Sequence, residues 1–521
     1  MKRTAVEWFV EGLQKRGTKF IATLCGHGLD PLFDAAHRAG LRLVDVRNEQ
    51  TAGYIAECYG RLTRTPGVCA SSSGVAVPNA MTGLMNAWFD QAPMLYISGS
   101  ANLTTLGMGC FQDCDQAGLV APIAKYSKLV DTPQRIVHML DQAWQAALAA
   151  PCGPVHLNLP MDVQRTPVEE EDLVRGLAFP EVAGANEQAV DEAVEALRRS
   201  RRPLIIAGSG VYYQPREARS LLTVASRFCI PVQTPIWDRG IADQHTDIFL
   251  GVAGALSSDP DLMAKADCVI LAGAAVDYRV GYLRTRAKVL RLDNGWYEVP
   301  GKLSMEGVLP YTDWLSEART LRTEFSGEIE SLANRQRQAG RTHAIDLILT
   351  LKHHLPQEAT LVIDGGSIGQ WAHHLLTEHR YPGYWLTCGR SGVVGYGLGG
   401  AMAARLANPE RPVVLLSGDG AFTFTVAELE CAVRNNLPFV AIVADDQCWG
   451  ITHSGHMRQF GQGLATQLGR IDFMGLAHSL GAQGVTATAP EDIAPLLQQA
   501  LAANTVTLLH VPISGGNPNL A

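Results

Sequence analysis

The sequence predicts an α/β protein of three tandem doubly wound parallel-sheet units, and three observations carry that reading. Short apolar runs that end in glycine turns alternate with segments of helical length along the whole chain, the pattern of βαβ crossovers. At 521 residues the chain is too long for one hydrophobic core. Polar stretches at 167–187 and 312–341 interrupt the alternation where domain boundaries are needed.

The first unit, 1–165, opens on Lys2, Arg3, Glu7 and Glu11 set among apolar residues, an amphipathic helix rather than a signal peptide. Residues 19–24 form a strand that leads into Cys25-Gly26-His27-Gly28, and a helix starts at Pro31. Further strands follow at 43–46, 67–70, 94–98 and 155–160. An acidic stretch, 167–172, and then 180–187 make the linker. The second unit, 186–335, begins its sheet at Pro203 and carries Gly208-Ser209-Gly210 after that strand. This turn lacks the third glycine of a dinucleotide fingerprint and is read as structural. Strands at 268–272 and 289–292 continue the unit, and a polar helix over 312–341 leads out of it. The third unit, 342–521, starts its sheet at 360–364, just before Gly365 and Gly366.

Within that unit the run Val413-Val414-Leu415-Leu416 is a buried strand ending in Gly418-Asp419-Gly420. A helix is expected over 425–435, then a strand over 439–443 ending in Asp445-Asp446. Two neighbouring parallel strands would place Asp419 and Asp446, 27 positions apart, at one sheet edge. Hard oxygen ligands converging there suit Mg²⁺ bound with a phosphate-bearing ligand. Either turn alone is as well explained by solvated acids.

With 47% hydrophobic and 18% charged residues, the composition is that of a soluble globular enzyme. The net charge of −8 recommends neither nucleic acid nor an anionic membrane as partner. No apolar run has membrane-spanning length. Eleven scattered cysteines suit reduced thiols, hence a cytoplasmic setting. Cys110 and Cys114 have loose zinc-ligand spacing, but no second pair accompanies them.

Arg47-Asn48-Glu49-Gln50 lies between a strand and a helix, where Glu49 would in any case suit the helix dipole. Taken with the acidic turns, the whole pattern resembles the thiamine-diphosphate-dependent enzymes of the acetolactate synthase, pyruvate oxidase and benzoylformate decarboxylase family. The resemblance covers essentially the full chain, in the order pyrimidine-binding, central Rossmann-like and diphosphate-binding domains. It implies thiamine diphosphate and Mg²⁺ as cofactors, with the metal held by Asp419, Asp446 and the backbone carbonyl of Cys448. The family usually has asparagine where this chain has Asp446. It further implies that Glu49 activates the cofactor's aminopyrimidine, that Val394 wedges the cofactor into a bent shape, and that Gly392 and Val394 backbone groups hold the ring. Gly366, Ser367, Gly420 and Ala421 match its diphosphate-contacting turns.

For the substrate, His27 stands in a loop that faces it in related decarboxylases, and Gln112 matches a synthase glutamine that reaches the active site. His453 is a weaker candidate. In the central domain Ala275 replaces an arginine common in FAD-binding synthases, so FAD is left as an option that the sequence disfavours. The implied reaction makes or breaks a carbon–carbon bond next to a carbonyl, foremost 2-oxo acid decarboxylation or carboligation. A 2-hydroxyacyl-CoA lyase, a diketone hydrolase and a non-catalytic thiamine-diphosphate-binding regulator are the alternatives. A homodimer or homotetramer with active sites at the subunit interface is expected.

Overall fold

The computed structural model describes residues 3–174, 187–212, 215–238, 247–254, 261–292, 305, 307–338, 340–376 and 385–515. Its strands fall into three parallel sheets and one short ribbon. In the first domain these are β1 (Arg3–Thr4), β2 (Phe20–Leu24), β3 (Arg42–Asp45), β4 (Gly67–Ser71), β5 (Met94–Ser100), β6 (Tyr126–Leu129), β7 (Pro154–Pro160) and β8 (Pro167–Val168). The sheet order is β3-β2-β4-β5-β7-β6 with every pairing parallel. Every residue of β4, β5 and β7 is buried, which is why they read as continuous apolar runs. Edge strand β6, with the sequence Tyr-Ser-Lys-Leu, has no such run, and sequence inspection misses it. Part of the expected linker is structured: β8 pairs antiparallel with β1 at the start of the chain. The rest of that linker, 175–186, lies outside the described residues.

The central sheet contains β9 (Pro203–Ala207), β10 (Val232–Pro235), β11 (Phe249–Ala253), β12 (Cys268–Ala272) and β13 (Lys288–Leu292), in the order β11-β10-β9-β12-β13. The helix Thr312–Gln336 follows, ending short of the expected 341.

The third sheet is built from β14 (Thr342–His343), β15 (Thr360–Asp364), β16 (Trp385–Leu386), β17 (Val413–Gly418), β18 (Val440–Asp445), β19 (Gln483–Thr486) and β20 (Thr507–Ser514). Its order is β14-β20-β18-β17-β15-β16, with β19 also beside β20. The helix expected over 425–435 is present as Glu428–Arg434, and a further helix not expected from the sequence, Asp419–Phe424, precedes it. This further helix begins at Asp419 itself, with Gly418 as its N-cap, so the expected glycine turn is a strand running straight into a helix. The lesson is local: the run Ala421-Phe422-Thr423-Phe424 has no strong helix former after its alanine, and burial of Phe422 rather than propensity holds it.

The first and third domains share one core, in which Tyr54, Ile55, Met402, Ala403 and Phe422 are all buried. Helix Glu49–Thr63 lies against helix Gly397–Ala407 closely enough that a Cβ on Gly399 would stand 2.9 Å from the Tyr54 Cβ. Among the described residues no helix is long and apolar enough to cross a membrane.

Candidate active site

Strand register builds the first half of the site. β17 and β18 pair in parallel with Gly418 opposite Ala444, so Asp419 and the Asp445-Asp446 pair leave the sheet at the same edge. The two acids of the pair then part company. Asp445 takes an ion pair from His510 Nε2 at 3.0 Å and accepts the Gln447 amide at 3.2 Å. Asp446 instead lines a cavity of about 200 Å³ together with Asp419, Gly420, Ala421, Cys448 and Trp449. Gly366, Ser367 and Val394 line the same cavity, whereas Gly392 does not.

Two carboxylates face each other in this cavity. Burial pushes the Asp419 carboxyl up to about 7, and the charges of Asp446 and Asp445 add to the shift. Asp446 is also raised, first by burial and then by Asp445, against the opposing hydrogen bonds from Cys448. Among the described residues no cluster of three His, Cys, Asp or Glu side chains could hold a metal. A dication here would therefore need a backbone carbonyl and phosphate oxygens to complete two carboxylates.

The opposite wall suits an anion. Gly365 and Gly366 have φ of +61° and +71°, a left-handed pair at the start of the ten-residue helix Gly366–Leu375. Ser367 Oγ is buried without a hydrogen-bond partner. A Cβ on Gly450 would come within 2.6 Å of that oxygen and 2.9 Å of Asp446 Oδ2, so both groups face one narrow space. An orphaned hydroxyl, a helix N-terminus and a repelling acid pair together fit a diphosphate bridged by a divalent cation.

Sequence inspection overlooks Asp364, at the end of β15. It is buried and accepts the amides of Gly395 at 3.0 Å and Gly397 at 2.8 Å, thereby pinning the far side of the Val394 loop. Burial lifts its carboxyl to about 6 against those two hydrogen bonds. An acid that closes an otherwise apolar strand was the available signal.

The second half lies in the first domain, on the segments that follow β2, β3, β4 and β5. Glu49 is the first residue of helix Glu49–Thr63, whose N-cap Asn48 accepts the Gln50 amide at 2.9 Å. The Glu49 carboxylate receives the side-chain amide of Asn79. Ser73 Oγ donates to Gln112 Oε1 at 2.8 Å, and Ser73 N bonds the His27 carbonyl at 3.3 Å. The His27 ring meets Phe111 edge-on at 5.5 Å. Gln112 has φ of +57°, and any side chain on Gly74 would collide with it. His27 and Gln112 thus share one cluster through Ser73, and Glu49 stands apart from it with Asn79. None of the three lines the third-domain cavity. His453 is turned to Thr466 Oγ1, at 2.8 Å.

Ser209, Gly210, Ala275 and Arg291 of the central domain, with Asp90 of the first and Arg390 of the third, line a second cavity of about 360 Å³. Arg279 nearby is fully buried between Asp238 and Asp277. All eleven cysteines are free, Cys110 and Cys114 included.

Three parallel sheets, with an acid-and-amide cradle at the carboxyl edge of the last, define a class of α/β proteins that hold a diphosphate-bearing cofactor. Comparison with known families makes the class specific. Residues 3–119 match the N-terminal TPP binding domain of thiamine pyrophosphate enzymes, 190–294 the central domain, and 364–511 the C-terminal TPP binding domain. An acetolactate synthase large subunit of Mycobacterium tuberculosis is 30% identical over 96% of this chain and 94% of its own length. The human 2-hydroxyacyl-CoA lyase 2 is 28% identical, over 91% of this chain and 83% of its own. Acetolactate synthase isozyme 1 large subunit of Escherichia coli is 27% identical, over 98% and 94%. This chain belongs to the thiamine pyrophosphate (thiamine diphosphate) enzymes.

Proposed function

We propose that the protein uses thiamine diphosphate and Mg²⁺ to make or break a carbon–carbon bond next to a carbonyl, with a 2-oxo acid as substrate. The reaction would be decarboxylation or carboligation of the acetolactate-synthase type. The observation that carries this reading is that one chain holds both an acid-and-amide cradle and, on a different sheet edge, a glutamate at the head of a buried helix. On this reading the domains divide at 1–165, 186–335 and 342–521. The cofactor, when bound, supplies a nucleophilic carbon and an electron sink.

The chain's own residues do the rest. Asp419, Asp446 and the Cys448 carbonyl hold Mg²⁺, and Gly366, Ser367, Gly420 and Ala421 hold the diphosphate. Val394 would pack against the bound cofactor, with backbone groups of Gly392 and Val394 beside its pyrimidine. Glu49 would hold and move a proton at its carboxylate next to that ring, while His27 and Gln112 would orient the substrate and move protons at its oxygen. Because Glu49, His27 and Gln112 do not line the cradle of their own chain, the complete site is read as shared between two copies, in a homodimer or homotetramer. FAD stays a disfavoured option because Ala275 replaces the arginine of the FAD-binding synthases, although Arg291 and Arg390 line the same cavity. A cytoplasmic location is part of the same reading.

Similarity to 2-hydroxyacyl-CoA lyase 2 supports a second substrate class, a 2-hydroxyacyl thioester. A panel of 2-oxo acids and 2-hydroxyacyl-CoA esters, assayed for CO₂, aldehyde and hydroxyketone with and without cofactor, separates the two. Product from neither class, with cofactor bound, would leave the regulatory-binder alternative standing.

A further inference from the structure

A buried polar network in the first domain directs its outward bonds to one segment of the third. Glu57, Arg61, Asn86 and Asp90 are all buried, on helices Glu49–Thr63 and Ala76–Asp90. Arg61 pairs with Glu57 at 2.9 Å and Asp90 at 3.3 Å, and Asn86 Nδ2 donates to Glu57 Oε1 at 2.7 Å. From this base three contacts cross the domain boundary. Arg61 Nη1 donates to the Thr387 carbonyl at 3.0 Å. Asp90 Oδ1 accepts the Arg390 amide at 2.8 Å. Asn86 Oδ1 accepts the Ser391 hydroxyl, whose oxygen in turn accepts the Val393 amide at 3.2 Å. Gly389, with φ of +68°, lets the strand end approach Asp90, since a Cβ there would fall 1.6 Å from the carboxylate.

Burying two carboxylates and one guanidinium is unfavourable until pairing offsets it. Here all three crossing contacts land within five residues of one another, immediately before Val394. On the other side Asp364 fixes Gly395 and Gly397, and Gly365 comes within 4 Å of the Val394 side chain where a Cβ would stand. Val394 is thus framed from both ends, by its own sheet on one side and by another domain on the other.

We propose that Ser391, held by Asn86, is a positioning residue that sets Val394 against the cofactor. The first domain would then control the bend at a cradle that its Glu49 loop does not line within the same chain. This rests on the cofactor reading above.

The test is exchange of the C2 proton of bound thiamine diphosphate with deuterium, followed by rapid quench and NMR, with cofactor affinity and melting temperature measured alongside. In Ser391→Ala, exchange is expected to slow about 10- to 100-fold, the scale of a sub-ångström to 1 Å misplacement, with cofactor affinity and melting temperature unchanged. Ser391→Thr, which keeps the hydroxyl, should restore the wild-type rate. Asn86→Ala should reproduce the defect, and adding Ser391→Ala to it should cause no further loss. Wild-type exchange in Ser391→Ala overturns the proposal, as does a defect that saturating cofactor cures or that Ser391→Thr shares. A wild-type chain that binds no thiamine diphosphate overturns the cofactor reading, and this one with it.

Discussion

In the third domain, Asp419 and Asp446 leave adjacent strands of one sheet, and backbone pairing fixes their relation. In the first domain, Glu49 heads a helix and meets Asn79, while His27 and Gln112 stand on separate loops and meet Phe111 and Ser73. The two halves therefore fail differently. A strand register is a cooperative property of the core, so the cradle changes only if its ligands change. Loops tied by single hydrogen bonds are tuned residue by residue, as befits the half to which the proposed function assigns the substrate. Rigidity is placed where charge must be held, and adjustability where specificity is set.

The largest test of this contrast is Glu49→Gln. It should lower turnover by about 10²- to 10⁴-fold while titration calorimetry finds cofactor affinity unchanged, because the cradle is elsewhere. Parallel loss of binding and turnover would merge the two halves into one. Next comes Asp419→Ala. Even groups that merely orient metal ligands are worth about 10- to 100-fold in affinity, so losing a ligand should weaken Mg²⁺-dependent cofactor retention by at least about 100-fold. Stripping wild-type protein with a chelator should release the cofactor, and Mg²⁺ should restore it.

Acid should act with opposite sign on β7 and β15, while within the first domain Asp90, lifted by burial to about 7, opposes the effect of His156. His156 in β7 is buried between Ser98 Oγ at 2.8 Å and Ser127 Oγ at 2.9 Å, and burial depresses it to about 3. Its folded value lies below the unfolded value of about 6.5, so the unfolded chain binds the extra proton. The share of first-domain stability that His156 sets is therefore whole above pH ~6.5 and lost progressively as pH falls toward 3. Asp364 has the opposite sign. Its folded value of about 6 lies above the unfolded one, so protonation as pH falls favours the folded third domain. Amide exchange in β7 should quicken as pH falls from about 6.5 toward about 4 while exchange in β15 does not, and equal acceleration in both strands would refute the assignment.

The smallest effect is expected from Asp446→Asn. Asparagine keeps an oxygen ligand and removes a charge that Asp419 already feels. The Mg²⁺ concentration for half-saturation should rise by about tenfold or less, about 1.4 kcal/mol. A larger loss would mean that the second charge, not the second oxygen, holds the metal.

Much of this was legible beforehand. Buried strands such as β4, β5, β17 and β18 are apolar at almost every position, so composition alone locates them. Edge strand β6 is half-exposed and mixed in composition, and β14 and β16, although buried, are two residues long and too short to show a pattern. The acidic turns were readable because a carboxylate after an apolar strand is an expensive place to put one. Asp364 fits the same pattern but was hidden by having no partner motif. Ser391 and Asn86, 305 positions apart, carry no local signal at all.

The sequence by itself determined three α/β units, the strands at their centres and which residue types could carry charge to a strand end, because periodicity and composition act over a few residues. Only the tertiary structure decided which acid does what. Asp445 and Asp446 are identical neighbours in sequence, yet one is turned to His510 and the other to the cavity. That choice depends on which strand packs alongside β18, and long-range packing is information that no single stretch of chain contains.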